Sequence, residues 1–205
     1  PLPSYVHWNF KVLFSASNNQ YIPAGVYNRI VVKNGFIKNL TGDVRVFGSV
    51  ELAGAVIALN EHNLTLFSLS DFTPSSFPYS SFNMIRTNQT GKLRKVVFDH
   101  SSWYPQFFPV GFISYNPVTL NMSGPFTTDT FSVKVTNTID PPPYNPNQVI
   151  NAMWTISEDN AGGTNASITV RYNEGQFSSG FNNTAGSVYL ARHNGSSWVP
   201  TQVSG

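Results

Sequence analysis

Apolar and polar residues alternate along most of this chain, and the three-and-four spacing of an amphipathic helix is nearly absent. Val6, Trp8, Phe10, Val12 and Phe14 share one parity against Tyr5, His7, Asn9, Lys11 and Ser15. That predicts a long N-terminal strand with one apolar face. A Ser/Asn loop and Pro23 follow it. Between Ile30 and Leu66 the pattern changes: Val44/Val46, Val50/Leu52 and Val56/Ala58 recur in steps of six, with Gly48 and Gly54 between them. Parity survives each glycine, as expected where a strand bends without slipping register. Short strands at a fixed step predict a few turns of a β-solenoid or one strongly bent sheet, closed by Asn63-Leu64-Thr65-Leu66.

The polar, proline-bearing stretch from Ser70 to Ser81 reads as a seam. Beyond it, strands are predicted at Phe82 to Thr87 and Leu93 to Phe98, joined by the turn Asn88-Gln89-Thr90-Gly91. Further strands read at Val118 to Asn121, Phe131 to Val135, Ala152 to Ser157, Ile168 to Tyr172 and Val188 to His193. Asp140-Pro141-Pro142-Pro143-Tyr144-Asn145-Pro146 lacks ladder donors and reads as a stiff loop. The predicted fold class is therefore all-β, a short glycine-bent solenoid-like stack followed by an antiparallel β-sandwich. Its expected parts are an N-terminal strand and loop over 1–27, the stack over 28–75 and the sandwich over 82–205.

Composition narrows the functional classes. Of 205 residues only 11% are charged, while 22 Asn, 23 Ser and 16 Thr supply uncharged hydrogen-bonding groups suited to turns and strand faces. This is the composition of a β-rich extracellular protein. The net charge of +2 comes from basic and acidic residues scattered along the chain, so no stripe exists to neutralise a row of phosphates, and nucleic acid is not an expected partner. Zero cysteine removes disulfides, thiolate metal sites and thiol catalysis together. No run approaches the roughly 18 apolar residues of a membrane span, so no membrane insertion is expected, and PLPSYVHWNF has neither the basic nor the apolar region of a signal peptide.

Several segments in register carry a resemblance. They are Phe108-Pro109-Val110-Gly111, Tyr115 to Leu120, Thr130 to Val135, Trp154 to Glu158 with Ala161-Gly162-Gly163, Ile168 to Asn173, Gly180-Phe181 and His193 to Trp198. Together they resemble a β-solenoid/β-sandwich module of large secreted or cell-surface proteins of Bacteroidetes-type bacteria, substrates of type IX secretion. The resemblance spans roughly residues 30 to 200 and leaves residues 1 to 27 without a counterpart. Such modules occur in adhesins, in structural surface layers and as accessory parts of secreted enzymes, so the resemblance implies location and fold rather than an activity.

Chemistry is sparse. Asp99-His100-Ser101-Ser102 places an acid, an imidazole and hydroxyls side by side, but neighbours on an extended chain point apart, so a polar loop outweighs a triad. His7, His62, His100 and His193 lie in unrelated segments without metal-type spacing. No catalytic residue is assigned, and the chain is expected not to be an enzyme. Glu158, Asp159 and Asn160, followed by a glycine-bearing loop, offer oxygens to a structural Ca²⁺, although the alternating acids of a calcium loop are missing and an ordinary turn is the stronger reading. Otherwise no cofactor is expected. Trp103, Tyr104, Tyr144 and Trp198 lie in loop-like contexts where rings stack on sugars, against the commoner fate of large aromatics in the core. Seven Asn-x-Ser/Thr sequons occur, at Asn39, Asn63, Asn88, Asn121, Asn165, Asn182 and Asn194, where a chain so rich in Asn, Ser and Thr produces about four by chance, so the excess is poor evidence for glycosylation.

The expectation is a non-catalytic extracellular structural protein acting in cell-surface adhesion or self-assembly, as a filament or surface-layer subunit. Its partners would be copies of itself or other surface proteins. The N-terminal strand, with Val6, Trp8, Phe10, Val12 and Phe14, is the candidate assembly element, either folded onto its own sheet or donated to a neighbour. The alternative is a carbohydrate-binding accessory module of a secreted polysaccharide-degrading system, with polysaccharide as partner.

Overall fold

A computed structural model describes residues 7–67, 71–73, 76–98, 105–123, 127–162, 165–184 and 188–201, with side chains from residue 10 onward. Val6, Asp99 to Ser102, Trp103 and Tyr104 lie outside the described residues, as does the side chain of Trp8. Apart from turns and loops, the described chain forms strands throughout, with one-turn 3₁₀ helices at Pro146–Gln148 and Glu174–Gln176.

The first part of the chain winds back and forth between two sheets. The strands β1 (His7–Phe14), β3 (Gly25–Lys33), β5 (Val44–Ala53), β7 (Leu64–Phe67) and β10 (Leu93–Val97) lie side by side in parallel in the first sheet, with β8 (Asp71–Thr73) also beside β5. After each comes a short strand of the second, also parallel sheet: β2 (Gln20–Ile22), β4 (Ile37–Leu40), β6 (Val56–Ala58), β9 (Ile85–Arg86) and β12 (Val110–Gly111). This is a short β-solenoid. Gly25 lies beside Val44 and Val44 beside Leu64, so these turns take 19 and 20 residues, and Leu64 beside Leu93 makes the next one 29. The six-residue step is a spacing within a turn: Val44 and Val50 both sit on β5, and Val56 begins the strand of the facing sheet.

The glycines mark where the turn bends. On β5, Phe47 and Gly48 together oppose the single residue Asn28 of β3, a bulge that twists the strand. A β-carbon on Gly48 would meet the Asn28 carbonyl oxygen at 2.5 Å, so only glycine lets the two backbones approach here. Gly54, at φ +75, makes the corner into the second sheet, a conformation that costs glycine little. The opposite corner is held by stacked side-chain amides. Asn60, itself at φ 55, donates from Nδ2 to the Leu40 carbonyl at 3.2 Å, and its backbone N–H and Oδ1 meet Asn88 at 2.9 and 2.8 Å. One turn is thus tied to those before and after it. Asn63 and Asn88, both within sequons, spend their side chains on these corners.

After β10 the direction reverses. β14 (Asp129–Thr136) pairs antiparallel with β10, and β15 (Met153–Glu158) pairs antiparallel with β14, so the first sheet passes unbroken from the solenoid into the antiparallel part. A third sheet contains β11 (Gln106–Phe108), β13 (Val118–Ser123) and β16 (Asn165–Val170), and a hairpin of β17 (Leu190–His193) and β18 (Trp198–Thr201) lies near the chain's end. Val118, Leu120 and Met122 from β13 join Phe131, Val133 and Val135 from β14 and the solenoid's Ile30, Val50, Ile57 and Leu64 in one buried cluster. Burying each such side chain contributes roughly 1.5–3 kcal/mol, which holds the two sheets of the solenoid and the sandwich together as one core.

Candidate functional site

The first sheet ends in two unpartnered edges among the described residues, β1 at one side and β15 at the other. β14 and β15 are successive reversals, so β15 runs in the same direction as β10 and therefore as β1. Of the predicted assembly residues, Val12 and Phe14 pack into or against the solenoid core, and the strand pairs with β3 of its own chain. Phe10 does not follow its neighbours inward. A register shift between Trp8 and Lys11 turns its ring out, leaving it 78% exposed. Leu13, 50% exposed, and Tyr21 on β2, 69% exposed, are further exposed apolar side chains on the same first turn of the solenoid. The alternation that predicted a single apolar face could not reveal a bulge, which needs the neighbouring strand to be seen.

The candidate calcium residues are engaged with protein groups. Glu158 Oε1 accepts from the Gly162 N–H at 2.7 Å, and Asp159 pairs with Arg94. Asn160 donates its backbone N–H and Nδ2 to Asp129 Oδ1 at 3.1 and 3.0 Å, so it acts as a donor here rather than an oxygen ligand. The buried Asp129, which also accepts from the Thr130 N–H at 2.6 Å, organises this turn; nothing in its sequence surroundings singled it out.

Two of the four candidate sugar-stacking residues are described. Trp198 Nε1 donates to the Pro141 carbonyl at 3.0 Å and its ring lies 5.2 Å from that of His193, so it pins the proline loop to the terminal hairpin. That loop carries Tyr144, which is fully exposed. Sequence reasoning missed a second aromatic feature: Phe47 and Phe67 on neighbouring solenoid turns stack at 4.4 Å with their planes nearly parallel.

A further cluster sits where the solenoid meets the sandwich. Lys95, on the inward parity of β10 between Leu93 and Val97, is only 3% exposed. Its Nζ donates to Asp71 Oδ1 at 2.7 Å and lies 5.6 Å from the Phe72 ring centre and 5.5 Å from that of Phe108. Burial pushes the Lys95 ammonium below its ordinary pKa, and the Asp71 carboxylate pulls it part of the way back. Tyr79 stacks on Tyr115 at 6.2 Å and contacts Phe107. Burial, with a smaller contribution from Asp71, raises the Tyr79 phenol to about 12, and burial followed by Tyr79 raises Tyr115 as well.

These tyrosines give an alkaline signature. An unfolded phenol ionises near 10.0, while the folded Tyr79 keeps its proton to about 12. Above pH 10 the unfolded state therefore binds fewer protons, and stability falls as pH rises through that interval. Urea titrations at pH 8 and at pH 11 are expected to show this loss, and Tyr79→Phe to make it shallower; equal slopes in the two proteins would refute the assignment.

No family model matches the chain, and no curated protein and no solved structure is similar to it. No helix among the described residues is long and apolar enough to cross a membrane.

Proposed function

We propose that this is a non-catalytic extracellular structural protein, acting in cell-surface adhesion or self-assembly, whose copies join edge to edge through the first sheet. The observation that carries this reading is the pair of open edges, β1 and β15, running in the same direction at opposite sides of one sheet. A sheet with such edges can be continued by translation: β15 of one copy beside β1 of the next makes a parallel pair. The same contact then repeats at the far side. A heterologous contact of this kind does not close on itself and propagates a filament. Backbone donors and acceptors on an exposed edge provide the attraction, and the apolar Phe10 and Leu13 add area that water would otherwise cover. The resemblance to modules of Bacteroidetes-type surface proteins supports the same setting. Negative-stain images of the concentrated protein test the proposal: strings of subunits are expected, and isolated particles at every concentration would refute it.

A second reading is favoured by one observation, the fully exposed Tyr144 on a proline loop anchored by Trp198. An exposed aromatic ring is a platform for a sugar face. As a carbohydrate-binding accessory module the protein would migrate more slowly in gels containing a bound polysaccharide, and Tyr144→Ala would restore free migration. Equal migration of the two proteins in every polysaccharide tried would remove this reading.

A further inference from the structure

We propose that Lys95 and Asp71 condense into an amide cross-link within the chain. The geometry brings together what the reaction needs. The amine nitrogen already touches the carboxyl group, Nζ to Oδ1 at 2.7 Å. Lys95 is held in place by its strand and is shielded from water between Phe72 and Phe108. Oδ1 also accepts from the backbone N–H of Phe72 at 2.7 Å, which holds the carboxyl group in place beside the amine. Asp71 is 60% exposed on its other side, which gives the released water a way out. Holding the two groups in contact removes most of the entropic barrier that makes the same condensation negligible between free side chains.

The step balances without a co-reactant. A proton moves from the Lys95 ammonium to the carboxylate along the existing hydrogen bond, leaving a neutral amine beside a neutral acid. Burial already favours this transfer by lowering the basicity of the lysine. Nζ then attacks Cγ of Asp71, the C–N bond forms, and one carboxyl oxygen departs with two of the three original ammonium protons as water. The third stays on the amide nitrogen. The positive and negative charges cancel, so the product leaves no buried ion behind.

The link would join β8 to β10 across the seam, closing the segment between residues 71 and 95 in a chain that has no cysteine for a disulfide. Asp71 and Lys95 lie on the sheet that continues into the sandwich, so a pull along that sheet would be borne by a covalent bond.

Mass measurement of the full denatured chain tests this directly. The wild-type protein is expected about 18 Da lighter than its sequence, the mass of one water. Lys95→Arg and Asp71→Ala are each expected at their full sequence mass, and digestion of the wild type is expected to yield one branched peptide joining the two segments. Denaturation before measurement makes the result independent of whether a variant folds. A wild-type chain at full mass, as a simple buried ion pair would leave it, overturns the proposal. So does a deficit that persists in either variant.

Discussion

Replacing Phe108 by alanine is expected to destabilise the whole chain, by about 3–5 kcal/mol, the usual cost of deleting a fully buried aromatic ring. Phe108 is completely buried at the end of β11, where the third sheet meets the solenoid core, and its ring lies 5.5 Å from the Lys95 ammonium. Its removal leaves a cavity and takes away one of the two rings that flank the Lys95 side chain. Because the first sheet runs unbroken from β1 to β15 and one apolar cluster joins the solenoid to the sandwich, the loss is expected to shift a single unfolding transition. Urea unfolding followed by near-ultraviolet and far-ultraviolet circular dichroism checks it. Two separated transitions, with only one moved by Phe108→Ala, would show that the two parts do not share a core.

The second large effect is expected at the edge. Phe10→Asp combined with Leu13→Asp places two carboxylates on exposed positions of β1, where each meets solvent in the single chain and the facing edge in an assembly. Folding should be little affected, since neither side chain belongs to the core cluster. Association between copies is expected to weaken by about a hundredfold, corresponding to about 2.7 kcal/mol. Sedimentation equilibrium of the two proteins gives the ratio directly, and unchanged association would place the contact elsewhere.

Much of this fold is legible in the sequence, for a physical reason. Strand alternation reports burial on one face, so the inward sets Val44, Val46, Val50 and Leu52, or Val133 and Val135, are visible without any structure. What alternation cannot report is which strands lie side by side. The six-residue step was visible, but the length of a solenoid turn was not, because it depends on β2, β4 and β6, strands of three or four residues with no periodicity of their own. Asn60 and Asn88 read as ordinary turn residues until the stacking of turns shows them bonded to each other.

The candidate sites were less legible still, because they depend on side chains that break the pattern. Lys38 and Lys95 occupy inward parities among apolar neighbours. A lysine in such a place reads as a flaw in a strand. Only the structure supplies the partners that make it tolerable: Asp71 for Lys95, and the Ala16 and Asn18 carbonyls, at 3.1 and 3.2 Å, for Lys38. Phe10 presents the reverse case, a residue on the apolar parity that a bulge turns outward.

The proposed assembly rests on one geometric claim, that the edges of β1 and β15 continue the sheet from copy to copy. Sedimentation velocity of the intact chain over a wide range of concentration tests it most directly. A series of boundaries that extends to larger species as concentration rises is expected, with no preferred closed size. A single boundary at the mass of one chain or of a pair, unchanged across the range, would contradict it.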